Sequence, residues 1–294
     1  MTLSLGMTLP QFSDDARSLV DGARKAEDLG LDSVWMFDHM WPLSGKKVRP
    51  MLECWTAFGY VAAATRAITV GTLVTRSTLR YPALLAKMAS TVACLAPERT
   101  VIGLGSGDRM SADENRAFGF SYFGGPARVA QLHSTVRLLR VWFEGATVDA
   151  EDEFQVVRGL PVSPRPELPP RIWIGGRSDA LIELAGRYAD GWNAWGVDRN
   201  EVAAGVRKLA DSDRSVEITW AGTLVIGTDD AAAAVRLGDR DPARYLVGGP
   251  ETVAEHLLAL AEEGVTHVVL APQEWGDGTP LELVATRVAP LVRG

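Results

Sequence analysis

The sequence has few of the residues on which several kinds of site depend. It contains two cysteines and four histidines in 294 residues. Cys54 and Cys94 fall in apolar helical patterns and lack the close pairing of a metal or redox motif, so we expect two reduced, buried thiols. The histidines are scattered and form no His-Glu-x-x-His unit. The sequence therefore predicts no metal site and no disulfide.

Long apolar runs and excess positive charge are also missing. No stretch of about 18 uninterrupted apolar residues exists, as a membrane-spanning helix would need. The N-terminus enters an alternating apolar stretch at Leu3 without a basic segment and a following apolar core. Thirty Lys plus Arg against 37 Asp plus Glu give a net charge of -7, which argues against binding nucleic acid or anionic lipid. We therefore expect a cytoplasmic protein with no membrane or nucleic-acid partner.

What the sequence does contain is a regular alternation of short apolar strands and amphipathic helices. This order is typical of a parallel sheet, because each helix carries the chain back before the next strand begins. Eight such units predict a (β/α)8 TIM barrel, in one domain over residues 1–294, rather than a doubly wound sheet. The predicted strands are 3–9, 33–37, 68–74, 100–104, 171–175, 191–194, 216–226 and 266–270.

The acidic, Pro-rich stretch 144–170 interrupts this rhythm and is predicted to be an insertion between units four and five. It could cover the site as a lid or pack on the surface. In a barrel of this kind the chemistry lies on the loops that follow the C-terminal ends of the strands. Polar residues at those positions are therefore the candidates.

The loop after strand two carries Asp38, His39 and Trp41. Histidine can accept or donate a proton near neutral pH, and a neighbouring carboxylate can fix its tautomer. We therefore select His39 and Asp38 as candidate catalytic residues. The alternative is that Asp38 caps a helix or loop and His39 is structural.

Strand four ends in the glycine-rich stretch 103–108, where backbone amides could approach a ligand closely. The third glycine comes one residue too early for a dinucleotide-binding fingerprint. Ser106 and Gly107 are candidate ligand contacts, although a tight turn explains the spacing equally well. Asp108 could be a general acid or only a turn residue.

Strand five ends in Gly175, Gly176 and Arg177 and runs directly into a helix. Amides at a helix start, together with a cation, favour an anionic group such as phosphate; a glycine turn with a solvated arginine is the alternative. The next strand brings Asn193 and Trp195 toward the same mouth. The Trp residues of that strand could equally belong to the core.

Together these stretches resemble the luciferase-like flavin and deazaflavin oxidoreductase superfamily, whose members are (β/α)8 barrels. The resemblance covers nearly the whole chain, in an order and spacing that are specific. Besides Asp38-His39, it rests on the stretches 70–74, 81–99, 103–107, 114–119, 170–176 and 189–192.

The resemblance implies that a cofactor ring lies across the barrel mouth, backed by a non-prolyl cis peptide in strand three at Leu73-Val74. It assigns Thr72, Leu73 and Val74 to cofactor binding. It likewise implies that backbone near Ser106 and Gly107 and the turn 175–177 hold the cofactor's phosphate and ribityl parts, and Asn193 is a further cofactor-binding candidate.

The Asp-His pair is similar to the branch that uses the deazaflavin coenzyme F420. This likeness implies hydride transfer to or from a small organic substrate, with His39 in proton transfer. Trp41 and Trp195 would shape the substrate pocket. Asp108 occupies the place where relatives have a catalytic glutamate and is one methylene shorter. Lys46, Lys47 and Arg49 would contact anionic groups or remain solvated.

Two alternatives stay open from the sequence. One is an FMN-dependent monooxygenase that uses reduced flavin and dioxygen and needs a partner reductase. The other is a barrel that binds a flavin or deazaflavin without catalysis.

The resemblance also implies a homodimer that pairs through barrel helices, and helices two and three have apolar surface for it.

Overall fold

The structure, a computed structural model, describes residues 2–42, 49–276 and 278–294. Its main feature is a closed parallel barrel of eight strands, with helices between the strands. The barrel strands, in spatial order, are β1 (Ser4–Thr8), β2 (Ser33–Met36), β3 (Thr69–Arg76), β4 (Thr100–Gly105), β7 (Arg171–Gly175), β8 (Gly191–Trp195), β9 (Glu217–Ile226) and β11 (His267–Pro272).

Closure of the barrel is seen in the strand register. Gly6 of β1 is paired with Ser33 of β2 on one side and with Val269 of β11 on the other. β8 and β9 are paired through Asn193 and Thr219, which completes the ring. The predicted TIM barrel is therefore confirmed.

The helices form the outer layer and pack their apolar faces on the strands. Several begin at an acidic cap, such as Asp198, whose side chain and that of Glu201 form a reciprocal capping box. The helices are α1 (Ala16–Asp28), α2 (Cys54–Ala64), α3 (Pro82–Leu95), α4 (Ala112–Ala117), α5 (Gly125–Glu144), α6 (Asp179–Tyr188), α7 (Arg199–Leu209), α8 (Asp230–Leu237), α9 (Pro250–Glu262), α10 (Thr279–Leu283) and α11 (Ala289–Arg293).

The barrel interior is closed by an aromatic plug. The rings of Trp35 and Trp173 stack with their centroids 4.5 Å apart. Both tryptophans are fully buried, and they cluster with Val101, Ala221 and Val269 from three other strands. Phe37 and Val74 pack against this cluster, which therefore fills the barrel interior beneath them.

His267 packs edge-on against both tryptophans of the plug. Its Nε2 lies 2.7 Å from Ser33 Oγ, which is also 2.7 Å from Trp35 Nε1. Because an indole N–H can only donate, the Ser33 hydroxyl accepts from Trp35, and the same oxygen hydrogen-bonds with His267 Nε2. Burial, with a smaller contribution from Arg171, lowers the pKa of His267 to about 3. The imidazole is therefore neutral at neutral pH.

This buried histidine should make the stability depend on pH. The unfolded chain binds a proton at its ordinary pKa of about 6.5, while the folded chain does so only near 3. The free energy of unfolding should therefore decrease as the pH falls below about 6.5, by up to about 1.4 kcal/mol per pH unit from this group. Urea denaturation between about pH 4 and 6 should show a steeper pH dependence for the wild type than for His267→Gln. The same pH dependence of the unfolding free energy in both proteins would contradict this expectation.

The insertion between units four and five contains a two-stranded antiparallel hairpin, β5 (Thr147–Asp152) and β6 (Gln155–Pro161). It packs on α5, where Ser134 Oγ donates to Asp152 Oδ2 at 2.7 Å. None of its residues is among the described residues that line the cavity at the barrel mouth. The structure thus agrees with surface packing rather than with a lid.

The sequence did not predict α8 and the short strand β10 (Leu246–Gly248), which extends the sheet beside the end of β9. Three residues are too few for strand alternation to be visible. The helix did leave a signal: Asp229 precedes a run of alanines, and its Oδ1 accepts from the amide of Ala232 at 2.8 Å.

Cys54 is buried as expected, but the prediction of a buried Cys94 was wrong. Cys94 is exposed on α3, because that helix packs on the barrel through Leu85, Ala89 and Val92.

Within residues 2–42, 49–276 and 278–294, no helix combines the length and apolarity needed to cross a membrane. The homodimer and the single domain stay predictions.

Candidate active site

A cavity of about 530 Å³ lies at the C-terminal ends of the barrel strands. All the predicted cofactor-binding residues line it except Thr72 and Arg177. The lining residues from this set are Leu73, Val74, Ser106, Gly107, Gly175, Gly176 and Asn193. Of the other predicted residues, His39, Asp108 and Trp195 also face the cavity, whereas Asp38 and Trp41 do not line it.

One part of the cavity is an apolar slot built on Val74. The peptide bond between Leu73 and Val74 is cis, as the family resemblance implies, and the pairing of β3 with β4 shifts register in this region. A Cβ atom at Gly105 would lie 2.5 Å from Val74 Cγ2, and one at Gly175 would lie 2.9 Å from Val74 Cγ1. A side chain at either position would therefore collide with Val74.

Thr72 and Gly176 both form hydrogen bonds to neighbouring strands of the barrel. Thr72 is fully buried, and its Oγ1 donates to the carbonyl of Gly103 at 2.9 Å. Gly176, with a φ of +135°, donates its amide to the carbonyl of Asn193 at 3.1 Å. Thr72 therefore joins β3 to β4, and the Gly176 amide is already used by β8.

Arg177 does not reach the cavity. Its side chain is 74% exposed, and its Nη1 lies 3.8 Å from Glu201 Oε1. Lys46 and Lys47 lie outside the described residues. Arg49 lines the cavity, with its guanidinium carbon 6.0 Å from the centroid of the Phe12 ring. The role of Arg177 as an anion ligand stays a prediction.

His39 is paired with Glu114, which was not among the predicted site residues. The distance from His39 Nδ1 to Glu114 Oε2 is 3.0 Å, and the other carboxylate oxygen accepts from the amide of Met40. An ionised carboxylate only accepts hydrogen bonds, so Nδ1 carries the proton and Nε2 is the acceptor nitrogen. His39 lines the cavity and its imidazole is 18% exposed.

The charge of Glu114 is stabilised by several donors. Burial raises the cost of ionising this fully buried carboxyl group, but hydrogen bonds from His39 and Met40 and the charge of Arg76 outweigh that cost. The pKa of Glu114 is therefore lowered. Arg76 Nη2 lies 2.9 Å from Glu114 Oε2, and Arg76 Nη1 donates to Asn115 Oδ1 at 3.0 Å.

Asp38 belongs to a separate ion pair behind the site. Its carboxylate accepts hydrogen bonds from both terminal nitrogens of Arg80, at 2.6 and 3.0 Å. It also accepts one from the backbone amide of Arg76 at 3.1 Å. Arg80 also donates to Glu53 at 2.5 Å. The carboxylate that contacts His39 is therefore that of Glu114 and not that of the neighbouring Asp38.

Asp108 faces the cavity and also belongs to a turn, and its role as a general acid stays a prediction. It lines the cavity, and its Oδ1 accepts two hydrogen bonds of 3.0 Å from the amide and hydroxyl of Ser111. It thereby caps the short 3₁₀ turn Arg109–Ser111 that leads into α4. This turn places Glu114, on α4, next to His39.

The lining also includes three aromatic side chains, of which Trp195 was predicted from the sequence and Phe12 and Phe37 were not. Trp195 is 41% exposed, and Phe37 packs edge-on against it with a centroid distance of 5.7 Å. Phe12 lies 6.2 Å beyond Phe37. Trp41 packs toward Phe118 instead, at 6.1 Å. Phe37 had a visible signal, since it is the residue directly before Asp38 at the end of β2.

Residues 3–244 match the family model described as luciferase-like monooxygenase. The chain is 29% identical to an F420-dependent glucose-6-phosphate dehydrogenase of Kineococcus radiotolerans, over 94% of this chain and 93% of the relative. It is 30% identical to an F420-dependent hydroxymycolic acid dehydrogenase of Mycobacterium tuberculosis, over 92% of this chain and 74% of the relative.

A solved structure of an F420-dependent secondary alcohol dehydrogenase, in complex with an F420-acetone adduct, has the same fold. The TM-score is 0.85 at 18% identity, with full coverage of both chains. The names of the relatives confirm the resemblance to the F420-dependent branch. The family match and the barrel with its cis peptide agree, and the chain belongs to the luciferase-like monooxygenase family.

Proposed function

We propose that this chain is an oxidoreductase that binds coenzyme F420 and exchanges a hydride with a small alcohol or carbonyl compound, using His39 to move the proton. The observation that carries the proposal is the His39–Glu114 pair, at 3.0 Å, in a cavity that also contains a glycine-lined apolar slot. The names of the two relatives, both F420-dependent dehydrogenases, support the choice of coenzyme.

The slot fits the flat ring of a deazaflavin. Leu73 and Val74 offer an apolar surface, and Gly105 and Gly175 leave the space that the Val74 side chain occupies. The volume of about 530 Å³ lies within the range of about 300–1,000 Å³ of ligand pockets. Asn193 and Ser106 add polar groups at the edge of the slot.

The bound coenzyme would supply hydride chemistry, and the protein would supply orientation and proton transfer. Glu114 holds His39 with its Nδ1 protonated, so Nε2 is the nitrogen that accepts the hydroxyl proton of an alcohol. In the reverse direction the same nitrogen returns the proton to a carbonyl oxygen. Arg76 keeps Glu114 ionised, which fixes the tautomer.

Other predicted residues have supporting roles in this proposal. Asp108 is a second candidate for proton transfer, since its carboxylate faces the cavity. Asp38 positions the loop of His39 through Arg76 and Arg80, without contact to the reacting atoms. Trp195 contributes to the substrate wall.

Titration of the purified protein with F420 and with FMN tests the coenzyme. We expect F420 to bind at least about tenfold more tightly than FMN, with anoxic reduction of F420 by an alcohol. Tight FMN binding without affinity for F420 would reject the proposal. Oxygen consumption driven by reduced FMN from a reductase would then establish the monooxygenase alternative. Binding of F420 without hydride exchange would establish the non-catalytic one.

A further inference from the structure

The second part of the cavity differs chemically from the slot. The slot is formed mainly by β3, β4 and β7, whereas the contiguous arc β8–β9–β11–β1–β2 forms the remaining wall. Phe12, Phe37 and Trp195 form a continuous aromatic surface along this arc, with centroid distances of 6.2 and 5.7 Å. His39 follows Phe37 by two residues and lines the same wall.

The polar groups of this arc are almost all neutral. Thr223, Gln273 and Asn193 are uncharged hydrogen-bonding side chains of this arc, next to the apolar Ala271 and Pro272. Of the residues with described positions, Arg49 is the single permanent cation that the arc contributes. It is exposed and stands over the Phe12 ring.

The composition of the described part of this wall disfavours a doubly charged substrate. A phosphate group that leaves water needs several charge-assisted donors, and arginine clusters are the usual solution. Arg76, which also lines the described part of the cavity, is already bound to Glu114, to the Asp38 carbonyl and to Asn115. Aromatic walls, by contrast, favour apolar or ring-shaped groups through buried area and ring contacts.

Given the proposed function, we infer that the substrate is an uncharged secondary alcohol, or the matching ketone, that carries an apolar ring, and not a phosphorylated sugar. In the oxidation, the carbinol C–H bond breaks and its electron pair leaves as hydride to oxidised F420. The hydroxyl proton passes to His39 Nε2, and the carbon–oxygen bond becomes a double bond. The ring of the substrate lies against Phe37 and Trp195.

The test compares 1-phenylethanol and cyclohexanol with glucose 6-phosphate and glucose, each with F420 and the full-length protein. Reduction of F420 is followed by the loss of its visible absorbance. We expect kcat/KM to be at least about 100-fold higher for 1-phenylethanol than for glucose 6-phosphate. F420 affinity is measured in parallel, since it reports on the proposed function alone.

Trp195→Ala removes the exposed end of the aromatic wall. This variant should lower kcat/KM for 1-phenylethanol by about tenfold or more and leave F420 affinity within about twofold. Leu258→Ala, which removes an exposed apolar side chain from α9, is the control and should change neither quantity.

The outcomes separate the two proposals. Preference for glucose 6-phosphate, or an unchanged kcat/KM in Trp195→Ala, would overturn the substrate inference while the coenzyme proposal stands. F420 binding without turnover of either apolar alcohol would also overturn it. Loss of F420 binding in the wild type would overturn the proposed function itself.

Discussion

Replacement of His39 by Ala should lower the turnover number of F420-linked oxidoreduction by about 10²–10⁴-fold. The reason is that Nε2 of His39 is the proposed acceptor of the hydroxyl proton, held in place by the 3.0 Å contact of Nδ1 with Glu114. Affinity for F420 should stay within about twofold, because the slot is formed by other residues. Steady-state kinetics and F420 titration measure the two effects. Full turnover in His39→Ala would remove His39 from the mechanism.

Glu114→Gln distinguishes positioning from a merely structural role. The amide keeps the size of the side chain but loses the charge that pairs with Arg76 and fixes the proton on His39 Nδ1. We expect kcat to fall by about 10–100-fold with little change in KM. Nitrogen-15 chemical shifts of the His39 ring should show a changed tautomer population. A wild-type tautomer with a reduced kcat would contradict the positioning role.

Asp38→Asn should lower the free energy of unfolding by about 3 kcal/mol. Arg80 is only 8% exposed and would lose its bidentate carboxylate partner, leaving a buried charge with reduced compensation. The remaining bond to Glu53 keeps the expected loss at the lower end of the range for broken buried pairs. Urea denaturation of the two proteins measures the difference.

An exposed arginine–carboxylate pair provides the matched control for Asp38→Asn. Glu151 and Arg158 are 2.9 Å apart on the hairpin, with both side chains largely exposed. Glu151→Gln should change the unfolding free energy by less than about 1 kcal/mol. Equal losses for the two variants would show that the Asp38–Arg80 pair contributes no more than a surface pair.

The barrel was predictable because its strands and helices each leave a local pattern. Apolar stretches such as 68–74 must be strands when amphipathic helices separate them, and eight units then close a ring. β10 was not predictable, since its three residues depend on a neighbour, β9, for their pairing. Cys94 was misplaced because an apolar pattern alone does not say which side of α3 faces the barrel.

The candidate site was predictable as a set of loops but not as a set of contacts. His39 stands directly after Asp38 in the sequence, yet its partner is Glu114, 75 positions further along. Adjacent residues on a turn point in different directions, so Asp38 meets Arg80 while His39 meets the carboxylate brought by α4. Only the three-dimensional arrangement shows which of two acidic residues orients an imidazole.

The shape of the slot has a consequence for how this protein could diversify. Val74 occupies its position because Gly105 and Gly175 carry no Cβ atom, so strand geometry sets the shape of the proposed coenzyme site. Phe12 and Trp195 are partly exposed side chains at the ends of other strands. Under the proposed function, mutation of Phe12 or Trp195 would change substrate choice and leave the proposed coenzyme site in place, which makes these two side chains the natural targets for directed evolution.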